Sequence, residues 1–195
     1  MHPTIMLLPI LHADAVVRGW LTLWHPWWLD ILMATLSVIA TGGAVWLAIG
    51  VLQAARRRLP LPRLWQLVLA VVTALIASDG IVKPLVHRPR PFVVQPGLVR
   101  ILGNPPGGSS FPSAHAAAAF AAAWVLSELF PAGRAAFWTL AALIAISRVY
   151  VGAHYPLDVM AGALLGVAVG WFVLGGTDGL TRNPVSPPPA VRDDA

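Results

Sequence analysis

The chain has 195 residues, of which 57% are hydrophobic and only 11% charged, with a net charge of +5 and no cysteine. A soluble domain carries about 25% charged residues, so the shortage of charge points to a membrane solvent, while the lack of cysteine excludes disulfides, zinc–thiolate centres and iron–sulfur clusters. The positive charge is gathered in two groups, Arg56, Arg57, Arg58 and Arg63, then Lys83, Arg88, Arg90 and Arg100, at the ends of apolar segments. That placement suits anionic lipid or phosphate rather than nucleic acid.

In chain order, Ile5–Leu11 is apolar and Ala13-Asp14-Ala15 resembles a signal-cleavage site, but there is no basic start and Pro9 interrupts the run, which argues for a retained segment. Leu11–Trp24 mixes Asp14 and Arg18 with Val16, Val17, Trp20, Leu21, Leu23 and Trp24. It reads as an amphipathic helix lying in the membrane interface, with a sixth span as the alternative. Five segments reach the roughly 20 apolar residues that a bilayer core demands: Trp27–Leu52, Leu64–Val86, Ser113–Phe130, Ala135–Val151 and Pro156–Leu174. Their Leu and Ala content predicts helix, and Trp27, Trp28 and Trp65 suit the interface.

The Arg56–Arg63 loop is expected in the cytoplasm by the positive-inside rule. Loop Pro91–Pro112 and turn Gly152–Pro156 then share the external face, and the C-terminus lies inside. Basic residues around Lys83–Arg100 oppose the rule and are read as anion ligands. Gly162, Gly166 and Gly170, like Ala116–Ala119 and Ala121–Ala123, form small-residue faces for close helix approach. The expected fold is an all-α polytopic membrane helical bundle, with about five transmembrane helices plus an N-terminal interfacial helix. Residues 1–175 form one domain, and 176–195 form a disordered cytoplasmic tail lacking an apolar face.

Ionisable residues at membrane segments are costly and therefore functional by default. They fall into three clusters, Lys83–Pro91, Ser110–His115 and Ser147–Asp158, which this topology brings to one membrane face. Lys83, Arg90 and Arg148 supply three cations, which a phosphate dianion would balance through arginine forks and a lysine point charge. Ser113 opens a helix after Pro112, so its hydroxyl and the amide of Ala114 can hold a phosphate oxygen, with the helix dipole in support. A neutral His154 imidazole can attack phosphorus if Asp158, four residues on, accepts from Nδ1–H and leaves Nε2 free. His115 can protonate the leaving oxygen and then activate water. With cations around the transferring group, no metal or other cofactor is required.

The spacings K-x6-R-P at Lys83–Pro91, P-S-x-H at Pro112–His115 and S-R-x5-H-x3-D at Ser147–Asp158 resemble the signature motifs of the type 2 phosphatidic acid phosphatase superfamily. One departure is Ala114, where the family usually has glycine; alanine still offers its amide but tightens the space. The resemblance implies the roles just argued: His154 as phosphohistidine nucleophile, Asp158 its orienter, His115 the acid and base, and Lys83, Arg90, Arg148, Ser113 and Ala114 holding phosphate. It further implies a membrane lipid (pyro)phosphatase of the bacterial inner membrane with its site on the external face. Undecaprenyl diphosphate is the leading substrate, and phosphatidylglycerophosphate and phosphatidate are alternatives. Vanadium haloperoxidases share the motifs, but the apolar spans favour the membrane branch.

Elsewhere, His2, His12, His25 and His87 read as packed or interfacial. Two helical turns from Lys83 favour Arg90 as the phosphate ligand, so Arg88 is assigned to lipid headgroups or a second phosphate. Asp30 and Asp79 are left outside the site, between helix-end contacts and proton relay. Tyr150 and Tyr155 are expected at the interface, and Phe111 beside the lipid path. A non-hydrolytic lipid-phosphate transporter would not need the two histidines and the aspartate. A membrane scaffold would leave the cations unexplained.

Overall fold

The expected helical segments are helical in the computed structural model, which describes residues 3–97 and 99–181. They comprise α1 (Pro3–Leu21), α2 (Trp27–Ile39), α3 (Ala44–Ala55), α4 (Leu61–Leu75), α5 (Lys83–Val86), α6 (Pro91–Val94), α7 (Ala114–Leu129), α8 (Arg134–Tyr150) and α9 (Pro156–Thr181), with no strand among the described residues. A π-helical stretch, Ile76–Val82, carries α4 into α5.

The span boundaries differ from expectation. Three stretches of helix are long and apolar enough to cross a membrane: Leu61–Val94, which includes the non-helical turn at 87–90, Pro131–Tyr150 and Pro156–Thr177. The expected first span, Trp27–Leu52, is instead broken between α2 and α3 by a bend of 57°. The break falls at Gly42 and Gly43, whose φ of 61° and 77° is open to glycine and ends a right-handed helix. Counted as one broken span, this pair is a fourth. Helix α7 is apolar but only 16 residues long, about 24 Å at 1.5 Å per residue, short of a 30 Å hydrocarbon core.

Helix α7 is the core of the bundle. Ala116–Ala119 and Ala121–Ala123 are all essentially inaccessible, packed among α4, α8 and α9. A helix buried on every side needs no polar face, and alanines let its neighbours approach closely. Gly162, Gly166 and Gly170 of α9 complete this contact: a Cβ at those positions would run into the carbonyls of Ser113, Ala117 and Ala121 respectively. At the far end, buried Gln66 of α4 donates to Thr177 Oγ1 at 2.7 Å, tying α4 to α9.

Helix α1, expected at the membrane interface, turns its charged side inward. Asp14 and Arg18 point into the protein and are buried, while Trp20 and Val17 face outward. The helix packs against α8 and α9. Its apolar side is its outer side, the arrangement suited to lipid and opposite to a helix floating at an aqueous surface. Tyr150 and Tyr155 are buried as well, not displayed at an interface. Helix α9 runs on to Thr181, past the expected start of the tail at 176; the remainder of that tail lies outside the described residues.

The backbone carbonyl against Gly166 cannot rotate away as a side chain can. Gly166→Ala is therefore expected to lower the melting temperature in detergent by about 3–10 °C, from an overpacking cost of about 1–3 kcal/mol. Gly176→Ala, on the same helix with no atom near the added methyl, serves as the control. Equal melting temperatures for both would refute tight α7–α9 packing.

Candidate active site

Main-chain hydrogen bonds splice the three polar clusters together. The Ser110 amide donates to the Arg88 carbonyl at 2.7 Å, and the Ser113 amide to the Asp158 carbonyl at 2.9 Å. The amides of Ala153 and His154 both donate to the Arg148 carbonyl at 3.1 Å. That turn needs Gly152, which has φ 77° and would place a Cβ 2.5 Å from the Arg100 carbonyl. At the first cluster, α5 ends on His87 at φ 51°, which turns the chain so that Arg88 and Arg90 both reach back into the protein.

His154 is buried between Arg90 and Asp158. Arg90 Nη1 stands 3.4 Å from its Nε2 and 3.0 Å from the Ala153 carbonyl, while Nη2 and Nε are bound by the carbonyls of Gly107 and Gly108 at 2.8 and 3.1 Å. The guanidinium is thus locked over Nε2. On the other side, Nδ1 lies 3.6 Å from Asp158 Oδ2. That is longer than a hydrogen bond, and Nδ1 is buried with no hydrogen-bond partner in the structure; catalytic contacts of this kind commonly tighten only when substrate is bound.

Asp158 has no exposed side-chain surface and accepts hydrogen bonds on both oxygens. Its Oδ2 accepts from the Ser110 hydroxyl and from the Tyr155 amide at 2.9 Å. As the third residue of α9 reaching back to the residue before Pro156, it forms one half of a capping box. Its Oδ1 accepts from Arg88 Nη1 at 2.6 Å. Arg88, expected at lipid headgroups or a second phosphate, is instead held between Asp158 and Asp14, 2.6 Å from each.

The remaining expected residues gather around the same point. His115, in the first turn of α7, lies within electrostatic range of His154, Arg148 and Lys83 and beside the backbone of Ser37; its Nε2 is buried without a hydrogen-bond partner. Buried Arg148 donates through Nη1 to the Ser37 hydroxyl of α2. Ser113 caps α7, its hydroxyl accepting from the Ala116 amide at 3.5 Å, and Ala114 opens the helix. Lys83 pairs with Asp79 at 2.5 Å. Sequence reasoning missed Ser37, placed Ser110 in the second cluster without a role, and left Asp14 on the N-terminal helix away from the site. Asp30 accepts from Tyr150 Oη at 2.7 Å and pairs with His25 and Arg100 at 2.9 Å, a tie between α2, α8 and the loop that follows α6.

Buried cations, a helix N-terminus and two imidazoles at one end of an apolar bundle define an anion-handling site in an integral membrane protein. The sequence profile of the PAP2 superfamily matches residues 63–181, more than half of the chain, and the chain belongs to that superfamily. Among curated relatives it is 51% identical over 67 residues to a lipid A 1-phosphatase of Rhizobium etli, covering 33% of this chain and 27% of that one. It is 38% identical over 105 residues to an undecaprenyl-diphosphatase of Sulfolobus acidocaldarius, covering 51% and 48% respectively. The chain spans between a quarter and half of the length of these relatives. Among solved structures it resembles Aquifex aeolicus LpxE, with TM-score 0.69 and 26% identity over 82% of this chain and 93% of that one. A PAP2-type phosphatidylglycerolphosphate phosphatase of Bacillus subtilis shares the fold, with TM-score 0.70 and 22% identity over 90% of each chain.

The His154 turn lies between α8 and α9, outside the helical stretches long and apolar enough to cross a membrane. Burial, reinforced by Arg148 and Arg90 and opposed by Asp158, lowers the pKa of His154 to about 4. Its ring is then neutral above that value and so uncharged at physiological pH. In NMR of histidine-labelled protein in micelles, the resonances lost in His154→Ala are expected to keep their neutral-form shifts from pH 7 down to pH 5. A midpoint near the ordinary histidine value of about 6.5 would contradict this.

Proposed function

We propose that this protein is a membrane lipid phosphatase that dephosphorylates a lipid (pyro)phosphate, with undecaprenyl diphosphate as the leading substrate. The observation that carries the reading is the two-sided setting of His154: a guanidinium 3.4 Å from Nε2 and a buried carboxylate 3.6 Å from Nδ1. One edge of the ring faces positive charge that would attract phosphate. The opposite edge faces negative charge that would stabilise a cationic imidazole.

In the proposed reaction Nε2 attacks phosphorus and the bond from phosphorus to the lipid oxygen breaks. His115 gives its proton to that oxygen, and a phosphohistidine forms. Water, deprotonated by His115, then attacks the phosphohistidine; the nitrogen–phosphorus bond breaks and inorganic phosphate leaves. Asp158 keeps the proton on Nδ1 and stabilises the cation throughout. Lys83, Arg90, Arg148, the Ser113 hydroxyl and the Ala114 amide stabilise the charge that builds on the phosphoryl oxygens, which is why no metal enters the scheme.

The topology completes the proposal. Five spans result if the bent α2–α3 pair and the short, central α7 each cross the bilayer, with the Arg56–Arg63 loop and the C-terminal end of α9 in the cytoplasm. The site then opens at the external face, and a cleft open sideways to lipid lets a long tail remain in the bilayer. The named activities of the relatives support phosphate release from lipids of several kinds, with phosphatidylglycerophosphate and phosphatidate as the alternative substrates.

Purified protein in detergent is expected to release phosphate from undecaprenyl diphosphate with EDTA present, faster than from phosphatidylglycerophosphate or phosphatidate. His154→Ala should reduce turnover by at least about 1000-fold, as loss of a covalent nucleophile does. Binding of the lipid without any phosphate release would favour a transporter, and loss of activity in EDTA would overturn the metal-free scheme.

A further inference from the structure

Arg88 is fixed from every side. Its guanidinium lies 4.1 Å over the Tyr155 ring, and its amide donates to the Ser109 hydroxyl at 3.0 Å. One tine of the fork, Nη1, holds Asp158 Oδ1, and the other, Nη2, holds Asp14 Oδ2, both at 2.6 Å. Asp14 in turn accepts from the Leu157 amide at 2.9 Å through its other oxygen, so a side chain of α1 caps the first turn of α9 and clamps Arg88 at once. We propose that Arg88 and Asp14 are positioning residues for Asp158, linking α1 to the catalytic histidine through a carboxylate–guanidinium–carboxylate triad. This rests on the phosphohistidine reading above.

Geometry is one half of the argument. A carboxylate turns freely about its last torsion, and Asp158 is useful to His154 only if Oδ2 stays toward Nδ1. Bonds from Ser110 and Tyr155 fix Oδ2, and Arg88 fixes Oδ1, so both ends of the group are held. Lysine, a point donor, could not bridge two carboxylates in the same fixed plane.

Charge is the other half. A fully buried carboxylate needs a cation, but a single arginine would cancel the negative charge that has to stabilise the His154 cation. Asp14, itself buried, adds a second carboxylate, and the triad keeps one net negative charge beside the ring. Arg88 is thereby also withdrawn from the phosphate, leaving Lys83, Arg90 and Arg148 for that task.

The test compares Arg88→Ala, Arg88→Lys and Asp14→Asn with the parent protein and His154→Ala, all in detergent with a lipid phosphate that the parent hydrolyses. Positioning predicts that kcat falls about 10- to 100-fold. KM and the inhibition constant of inorganic phosphate should stay within about threefold, because the phosphate ligands are untouched. Millimolar guanidinium should restore part of the kcat of Arg88→Ala, and not that of His154→Ala. If KM or the phosphate inhibition constant rises while kcat holds, Arg88 is a substrate ligand and the proposal is overturned. It is equally overturned if kcat is unchanged. Should Arg88→Ala fail to fold, Arg88→Lys and Asp14→Asn decide the question by the same split of kcat from KM. Turnover by His154→Ala would sink the phosphohistidine reading itself. An inert His154→Ala beside fully active Arg88 and Asp14 variants would sink only the triad.

Discussion

A carboxylate with no exposed surface lies where three distant stretches of the chain meet, and the cost of burying it organises the rest of the site. An unpaired charge in an apolar bundle is worth several kcal/mol of destabilisation, so each oxygen of Asp158 must be met by donors. Those donors come from residues 88, 110 and 155. Forming the bonds therefore requires α5, the loop before α7 and the start of α9 to be in register. His154 lies four residues before Asp158, so the same register sets the ring. The chemistry and the folding of this end of the molecule are one constraint.

What holds that register from below is the α7–α9 contact. Seven inaccessible alanines and three glycines bring the two helices so close that backbone, not side chain, forms the surface. Such contacts resist sliding, since a shift along the axis would bring a Cβ against a carbonyl. His115 and Ser113 open α7 and Asp158 opens α9, so close packing of the two helices fixes the distance between their N-terminal ends. A looser, leucine-filled interface would leave that distance soft.

The helices and most of the site could be seen in the sequence because apolar runs, small-residue spacing and three motifs are local signals. Lys83, Arg90, Ser113, His115, Arg148, His154 and Asp158 sit in those motifs, and the structure brings their segments to one end of the bundle. The bend at Gly42-Gly43 was hidden because hydropathy measures composition and is blind to a positive φ. Asp14 and Arg18 were assigned to an interface because a helix with two charges has no preferred direction in isolation; only the cationic partner 74 residues away shows which side is inside. Ser37 carries no signal, and Ser110, though it opens the second cluster, shows no role there, because the partners of both are set by tertiary contact. Arg88 was misassigned for the related reason that arginine beside proline looks the same whether it faces phosphate or aspartate.

These misreadings share a cause that bears on membrane proteins generally. In water, a charged residue on a helix marks the outer face; in lipid it marks the inner one. Helix α1 obeys the second rule, with Val17 and Trp20 outward and Asp14 and Arg18 inward. Its polar residues are therefore available to the site. Arg18 donates to Gln95 at 2.7 Å, just beyond α6, while Asp14 reaches both Arg88 and the first turn of α9. Through Arg88, the N-terminal helix thus belongs to the electrostatics of Asp158.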